Sequence, residues 1–136
     1  MKPSHEKRIL FVDDETGIRA TLPSILRRRG FHVTVAATVE EGINAMYSQE
    51  FDLLLTDLNI EKENDGFHLI RSMRDANRLC VAFIITAYPS LESAIDGIHE
   101  GVEEYIVKPT NPDELVARLS AWLERPSVVH QSMELH

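Results

Sequence analysis

Five short apolar runs, each followed by an amphipathic stretch, limit this chain to a small set of folds. The runs are Arg8–Val12, His32–Ala36, Asp52–Thr56, Val81–Ile85 and Glu103–Val107. Each is brief and mostly apolar, the pattern of a parallel strand covered on both faces. Helical periodicity fills the intervals. Ile18, Leu22, Ile25 and Leu26 form one apolar stripe, and Pro23 within it removes a backbone hydrogen bond and predicts a bend. Thr38-Val39-Glu40-Glu41 carries the capping-box pattern and opens the second helix. The third spans about 66–77 and the fourth about 90–100. Asn111-Pro112-Asp113-Glu114 opens the last with an N-cap, a proline at the first helical position and an acid in the first turn. Its Leu115, Leu119, Trp122 and Leu123 share one face, as core or interface. Strand–helix units repeating every roughly 20–25 residues predict a parallel α/β sheet with right-handed crossovers.

A chain of 136 residues suits one domain with a proper core. Residues 125–136 lack periodicity and read as a tail or the start of a linker, which leaves the domain over 7–124. The net charge of −8, from 22 acidic and 14 basic residues, would repel a phosphate backbone and argues against direct nucleic-acid binding. The compact basic run Arg27-Arg28-Arg29 reads as cations at a helix C-terminus rather than a partner-binding patch. No apolar run approaches the roughly 18 residues of a membrane span, and the polar N-terminus lacks the centre of a signal peptide. A single cysteine, Cys80, excludes an internal disulfide and a cysteine zinc cluster, and reads as a buried inert thiol. Together these predict a cytoplasmic protein with no membrane partner.

Ligands of an open parallel sheet bind beyond the carboxyl ends of its strands. The first run delivers Asp13-Asp14-Glu15 there, the third Asp57 with Asn59 two residues on, the fourth Thr86-Ala87 and the fifth Lys108-Pro109. Converging carboxylates repel one another without a cation, and an all-oxygen set suits Mg²⁺. A hydroxyl and an ammonium beside a metal-bound carboxylate suit a phosphoryl group: one oxygen to the metal, one to Lys108, one to Thr86. The carboxylate then acts as nucleophile, and Asp57, alone at the middle of the edge, reads as the acceptor. Taken singly, an Asp-Asp pair after a strand caps a helix, and Lys-Pro is a common loop dipeptide. Their occurrence in order, each at its own strand end, points to phosphoryl chemistry.

Over about residues 7–124 the chain resembles a response-regulator receiver domain, through "ILFVDDE" (9–15), "DLLLTD" (52–57), "IITAY" (84–88) and "GVEEYIVKP" (101–109). The resemblance implies a flavodoxin-like, doubly wound five-stranded parallel sheet of order 2-1-3-4-5 with five helices. It implies Asp57 as the residue phosphorylated by a histidine kinase or phosphotransfer protein, and a Mg²⁺ held by Asp13, Asp14, Asp57 and the Asn59 backbone carbonyl. Thr86, Ala87 and Lys108 would bind the phosphoryl group, with a cis peptide before Pro109. Thr86 would move toward the phosphoryl oxygen and Tyr105 would turn inward behind it. The surface of the fourth helix, fifth strand and fifth helix would then change for a downstream partner or effector domain, or for a homodimer.

The loop after Asp57 departs from the family's usual pattern. In "DLNIEKENDG", Glu61 stands where a proline is expected, Gly66 comes one residue late, and Glu61, Glu63 and Asp65 add acid near the site. Gly42 and Pro23 also depart from regular helix sequence. Asn59 and Tyr88 flank the site where side chains tune phosphoryl lifetime. Other readings fit less well. A Mg²⁺-dependent aspartyl phosphatase wants Asp-x-Asp after the first strand, but Glu15 follows Asp13 by two. A flavodoxin needs a phosphate loop where "DDETG" would repel phosphate. The remaining alternative is a phosphorylation-independent receiver acting as an interaction module. In every receiver reading the chain is a signalling module, not a turnover enzyme.

Overall fold

Side chains alternate across a strand, and in the first strand all but the leading Arg8 are apolar: Ile9 and Phe11 point one way, Leu10 and Val12 the other, and all four are fully buried. Such a strand needs cover on both faces. The computed structural model, which describes residues 6–124, provides it. The expected tail at 125–136 lies outside the described residues. Strands β1 (Arg8–Val12), β2 (His32–Ala36), β3 (Leu53–Asp57), β4 (Val81–Thr86) and β5 (Glu104–Val107) alternate with helices α1 (Thr16–Arg28), α2 (Val39–Ser48), α3 (Gly66–Ala76), α4 (Leu91–His99) and α5 (Pro112–Leu123). All strand pairs are parallel, in the order β2-β1-β3-β4-β5. This is the flavodoxin-like fold expected.

Two cores result. On one face Ile9, Phe11, Leu53, Leu55 and Phe83 pack under Leu22 and Leu26 of α1 and Leu115, Leu119 and Leu123 of α5. On the other, Leu10, Val12, Leu54 and Ile84 pack under Met46 of α2 and Phe67, Leu69, Ile70 and Met73 of α3. Gly42 brings α2 close: a Cβ there would lie 2.9 Å from Leu69 Cδ2 and 3.3 Å from Val12 Cγ2. Helix α4 is different. Its buried residues are Ser93 and Gly97, while Leu91, Ile95 and Ile98 are 79%, 42% and 76% exposed.

Boundaries move where side chains replace ladder partners. Asp52 is not part of β3. Its Oδ2 accepts from Arg8 N at 2.8 Å, so the carboxylate closes the lower end of the sheet. The strand gains Asp57 instead, and β4 runs one residue further, to Thr86. Similarly, Glu103 precedes β5, because its Oε1 accepts from Ala82 N at 2.7 Å. Helix α1 continues through the buried Pro23 without a break. The expected capping box at α2 is half formed: Thr38 Oγ1 accepts from Glu41 N at 3.1 Å, but the Glu41 carboxylate takes the Ala37 amide at 2.7 Å, one residue early. Asn111 caps α5 by accepting from Glu114 N at 3.1 Å. Trp122 lies at the core's edge and donates to Glu104 Oε2 at 3.0 Å. Arg27 and Arg28 end α1, and Arg29 pairs with Asp113. Burial pushes the Cys80 thiol up to about 12, so it stays protonated and inert.

Candidate functional site

Parallel strands all end on one side, so residues distant in sequence meet there. Asp13 leaves β1, and its amide donates to Ala36 O at 3.1 Å. Asp57 is the last residue of β3 and is held in register with Ile85. Lys108 follows β5, its amide donating to Thr86 O at 2.8 Å. The peptide joining it to Pro109 is cis.

The carboxylates of Asp13, Asp14 and Asp57 offer oxygens within 4.8 Å of one another. Lys108 Nζ lies 2.9 Å from Asp13 Oδ2, 3.1 Å from Asp57 Oδ2 and 3.4 Å from Glu15 Oε1. Asp13 Oδ1 accepts from Glu15 N at 2.8 Å. Its Oδ2 is buried and has only the Lys108 ion pair, with no aligned hydrogen bond. One ammonium therefore serves several acids, and the site keeps a negative excess. Burial, then the charge of Asp13, push Asp57 up from 3.8 to about 6, against the opposing pull of Lys108 and the Asn59 amide. Burial acts to lower Lys108, yet its contacts with Asp13 and Asp57 overcome this and hold it above the ordinary lysine range. Both partners of the Lys108–Asp57 pair are thus raised. Burial dominates for Asp57, and the Lys108 ammonium, shared with Asp13, only partly compensates it.

A cleft of about 320 Å³ opens above these groups, lined by Asp14, Glu15, Asp57, Asn59, Lys108 and the Ala87–Tyr88 turn. Since a water occupies about 30 Å³ of liquid, a phosphoryl group and several waters fit within it. Thr86 is fully buried and not part of this lining; its Oγ1 accepts from Tyr88 N at 3.0 Å. Tyr105 is further off, half-buried, with its hydroxyl against α4. A larger groove of about 490 Å³ lies between α2 and the start of α3. Of its three acids, Glu40, Glu61 and Asp65, the last two already accept backbone amides.

The departures after Asp57 form an ordered loop that sequence reading did not foresee. Asp65 Oδ1 accepts from Ile60 N at 2.7 Å, and Oδ2 accepts from the amides of Glu61 and Lys62, both at 2.9 Å. Asn64, at φ 65°, donates its amide to Asn59 Oδ1 at 2.7 Å, which ties the Asn59 side chain to the loop. Glu61 Oε1 accepts from Val39 N at 2.9 Å and joins the loop to the N-terminus of α2. The available signal was Asn64-Asp65-Gly66, since Asn tolerates the left-handed region and Asp gathers nearby amides. Asp65→Ala is expected to cost about 1.5–3 kcal/mol, the range for hydrogen bonds to a charged group. It should also speed amide exchange at residues 60–62, readable by NMR; unchanged exchange there would refute this account of the loop.

A family model described as the response regulator receiver domain matches residues 9–120. The chain belongs to this receiver family. Among curated relatives, the alginate biosynthesis transcriptional regulatory protein AlgB of Pseudomonas syringae pv. tomato is 34% identical over 129 residues, covering 88% of this chain and 29% of its own length. The chain thus spans under a third of that relative. A CheY-like response regulator receiver domain protein from Methanospirillum hungatei superposes with a TM-score of 0.83 at 32% identity, covering 88% of this chain and 95% of that one. A Burkholderia pseudomallei response regulator, solved with a phosphorylated aspartic acid, calcium ion and citrate, gives a TM-score of 0.77 at 26% identity, covering 95% and 73%. The molecule is therefore the receiver domain of a two-component response regulator, a signalling family rather than a class of metabolic enzyme. Among the described residues, no helix of the receiver is long and apolar enough to cross a membrane.

Proposed function

We propose that this receiver accepts a phosphoryl group on Asp57 from a phosphohistidine of a histidine kinase or phosphotransfer protein. The observation that carries the proposal is Asp57 fixed at the end of β3, beside the Lys108 ammonium at 3.1 Å and within the acidic trio, on an open cleft. An Asp57 oxygen attacks phosphorus as the P–N bond to the donor imidazole breaks, and the imidazole leaves with that electron pair. Lys108 neutralises one phosphoryl oxygen, and the Ala87 amide takes a second, joined by the Thr86 hydroxyl once it turns out of its buried position and releases Tyr88 N. Asp13, Asp14, Asp57 and the Asn59 carbonyl would hold Mg²⁺, which fits an all-oxygen set with a negative excess and a buried Asp13 oxygen lacking an aligned donor. When bound, the metal supplies positive charge to the transferring group. The phosphorylated aspartate of the Burkholderia pseudomallei neighbour supports the same chemistry here.

Output passes through α4, β5 and α5. The support is the apolar stripe of Leu91, Ile95 and Ile98, with Val107 of β5 also 47% exposed; stripes of this kind mark contact surfaces. Its occupant is a downstream partner, an effector domain or a second copy, with Tyr105 as the internal switch. The setting is the cytoplasm. The test is intact-protein mass after incubation with acetyl phosphate and Mg²⁺. One phosphoryl adduct is expected, dependent on Mg²⁺ and lost in Asp57→Asn. A folded wild type that takes no adduct would overturn the proposal in favour of a phosphorylation-independent receiver.

A further inference from the structure

Most helices here are fastened by apolar side chains, but the buried residues of α4 are a serine and a glycine. Its C-terminal end is tied to α3, through Arg71 to Glu100 at 2.6 Å and Arg74 to Gly101 O at 2.9 Å. Its N-terminal end depends on hydroxyls. Ser90 is the N-cap, and its Oγ accepts from Ser93 N at 3.0 Å. The Oγ atoms of Ser90 and Ser93 lie 2.9 Å apart. Ser93, 3% exposed, shares a 2.6 Å hydrogen bond between its Oγ and Tyr105 Oη. Ser90 N approaches the same Tyr105 Oη at 3.4 Å. The Tyr105 ring packs against the α2–α3 core and lies 3.7 Å from the Cβ position of Gly97.

The β4–α4 loop therefore hangs between two hydroxyls, Thr86 Oγ1 holding Tyr88 N and Tyr105 Oη meeting Ser90 N. We propose that Ser93 is a positioning residue that latches Tyr105 and the first turn of α4 together, so that the exposed face of α4 is held in one setting while the latch is closed. With little apolar packing to oppose it, α4 takes its N-terminal position from this hydroxyl bond. The ring cannot leave the core without releasing the helix. Its role in signalling rests on the phosphoacceptor reading above, whereas the latch itself does not.

The test is ¹⁹F NMR of the full chain carrying 3-fluorotyrosine. Of its three tyrosines, Tyr47 and Tyr88 are exposed and Tyr105 half-buried, and Tyr105→Phe assigns the Tyr105 signal by removing it. Ser93→Ala should shift the ring toward an exposed conformer about fivefold in population ratio, the effect of one net hydrogen bond. Ser93→Thr, which keeps the hydroxyl, should restore the wild-type spectrum. Tyr105→Phe should also speed exchange of the Ser90 amide, giving a second reading should Ser93→Ala fail to fold. Unchanged Tyr105 populations in a folded Ser93→Ala, or an unchanged Ser90 exchange rate in Tyr105→Phe, would overturn the latch. Beryllofluoride with Mg²⁺, a phosphoryl stand-in, separates the two proposals. A spectrum that responds to Ser93→Ala but not to beryllofluoride keeps the latch and refutes the phosphoacceptor; the reverse pattern refutes the latch alone.

Discussion

Gly66→Ala is expected to destabilise the domain by about 3 kcal/mol or more, at the upper end for overpacking a close contact. A Cβ at Gly66 would sit 2.3 Å from Asp57 O, 3.0 Å from Leu58 O and 3.1 Å from Leu58 Cα. All three atoms are backbone, so no side-chain rotation relieves the clash. Moving α3 outward would stretch the bond from Gly66 N to Leu58 O, now 2.8 Å, and would lift Phe67, Leu69 and Ile70 from the core. Moving β3 instead would displace Asp57, the proposed acceptor, from its place beside Lys108. Urea unfolding should show a lower midpoint with an unchanged slope. A midpoint equal to wild type would show that the loop yields easily and that the close approach of Gly66 has no structural weight.

Asp57→Asn is expected to do the opposite, stabilising the metal-free protein at neutral pH. Asp57 is raised from 3.8 to about 6, chiefly by burial and then by Asp13. Folding therefore favours its neutral form. Below the unfolded value both states are protonated and the group is neutral to stability. As pH rises from about 4 to about 6 the unfolded chain ionises first, and the folded state loses stability relative to it. At pH 7 the full cost is about 3 kcal/mol, from 1.36 kcal/mol per pH unit. That cost is already net of the Lys108 attraction, so the amide variant, which resembles the neutral acid, escapes most of it, and a net gain of about 1–3 kcal/mol is expected. Thermal melts from pH 3.5 to 7.5 should show the gap opening with pH, and Mg²⁺ should narrow it by stabilising the wild type. A gap independent of pH, or an Asp57→Asn variant less stable than wild type at pH 7.5, would contradict this electrostatic account.

The fold was legible because it is written in strand composition. Two buried faces require unbroken apolar runs, and five such runs marked the strands within one residue at each end. The shifts at Asp52 and Glu103 share one cause: a carboxylate took a backbone amide that a strand residue would otherwise have paired. Asp13, Asp14, Asp57 and Lys108 could be brought together on paper because parallel topology alone delivers strand ends to one edge. Hydrogen bonds between side chains of distant elements leave no such trace. Nothing in the spacing of Ser93 and Tyr105 predicts that their hydroxyls meet, and nothing in Glu61 predicts that it reaches the amide of Val39. The burial of Thr86 away from the cleft lining is likewise a matter of rotamer and local turn, to which periodicity is blind.

By formal count, residues 61–65, in the loop that follows Asp57 and Asn59, carry three acids and one lysine. Two of those acids face local positive dipoles. Asp65 is ringed by three amides, and Glu61 points at the positive end of α2. Their fields close largely on the protein itself. Only Glu63 projects its charge without such an acceptor role among the bonds described, and Lys62 stands beside it. The loop is therefore nearer to electroneutral than its composition, and it repels an anionic reactant less, with a weaker dependence on salt, than the chain's net charge of −8 suggests.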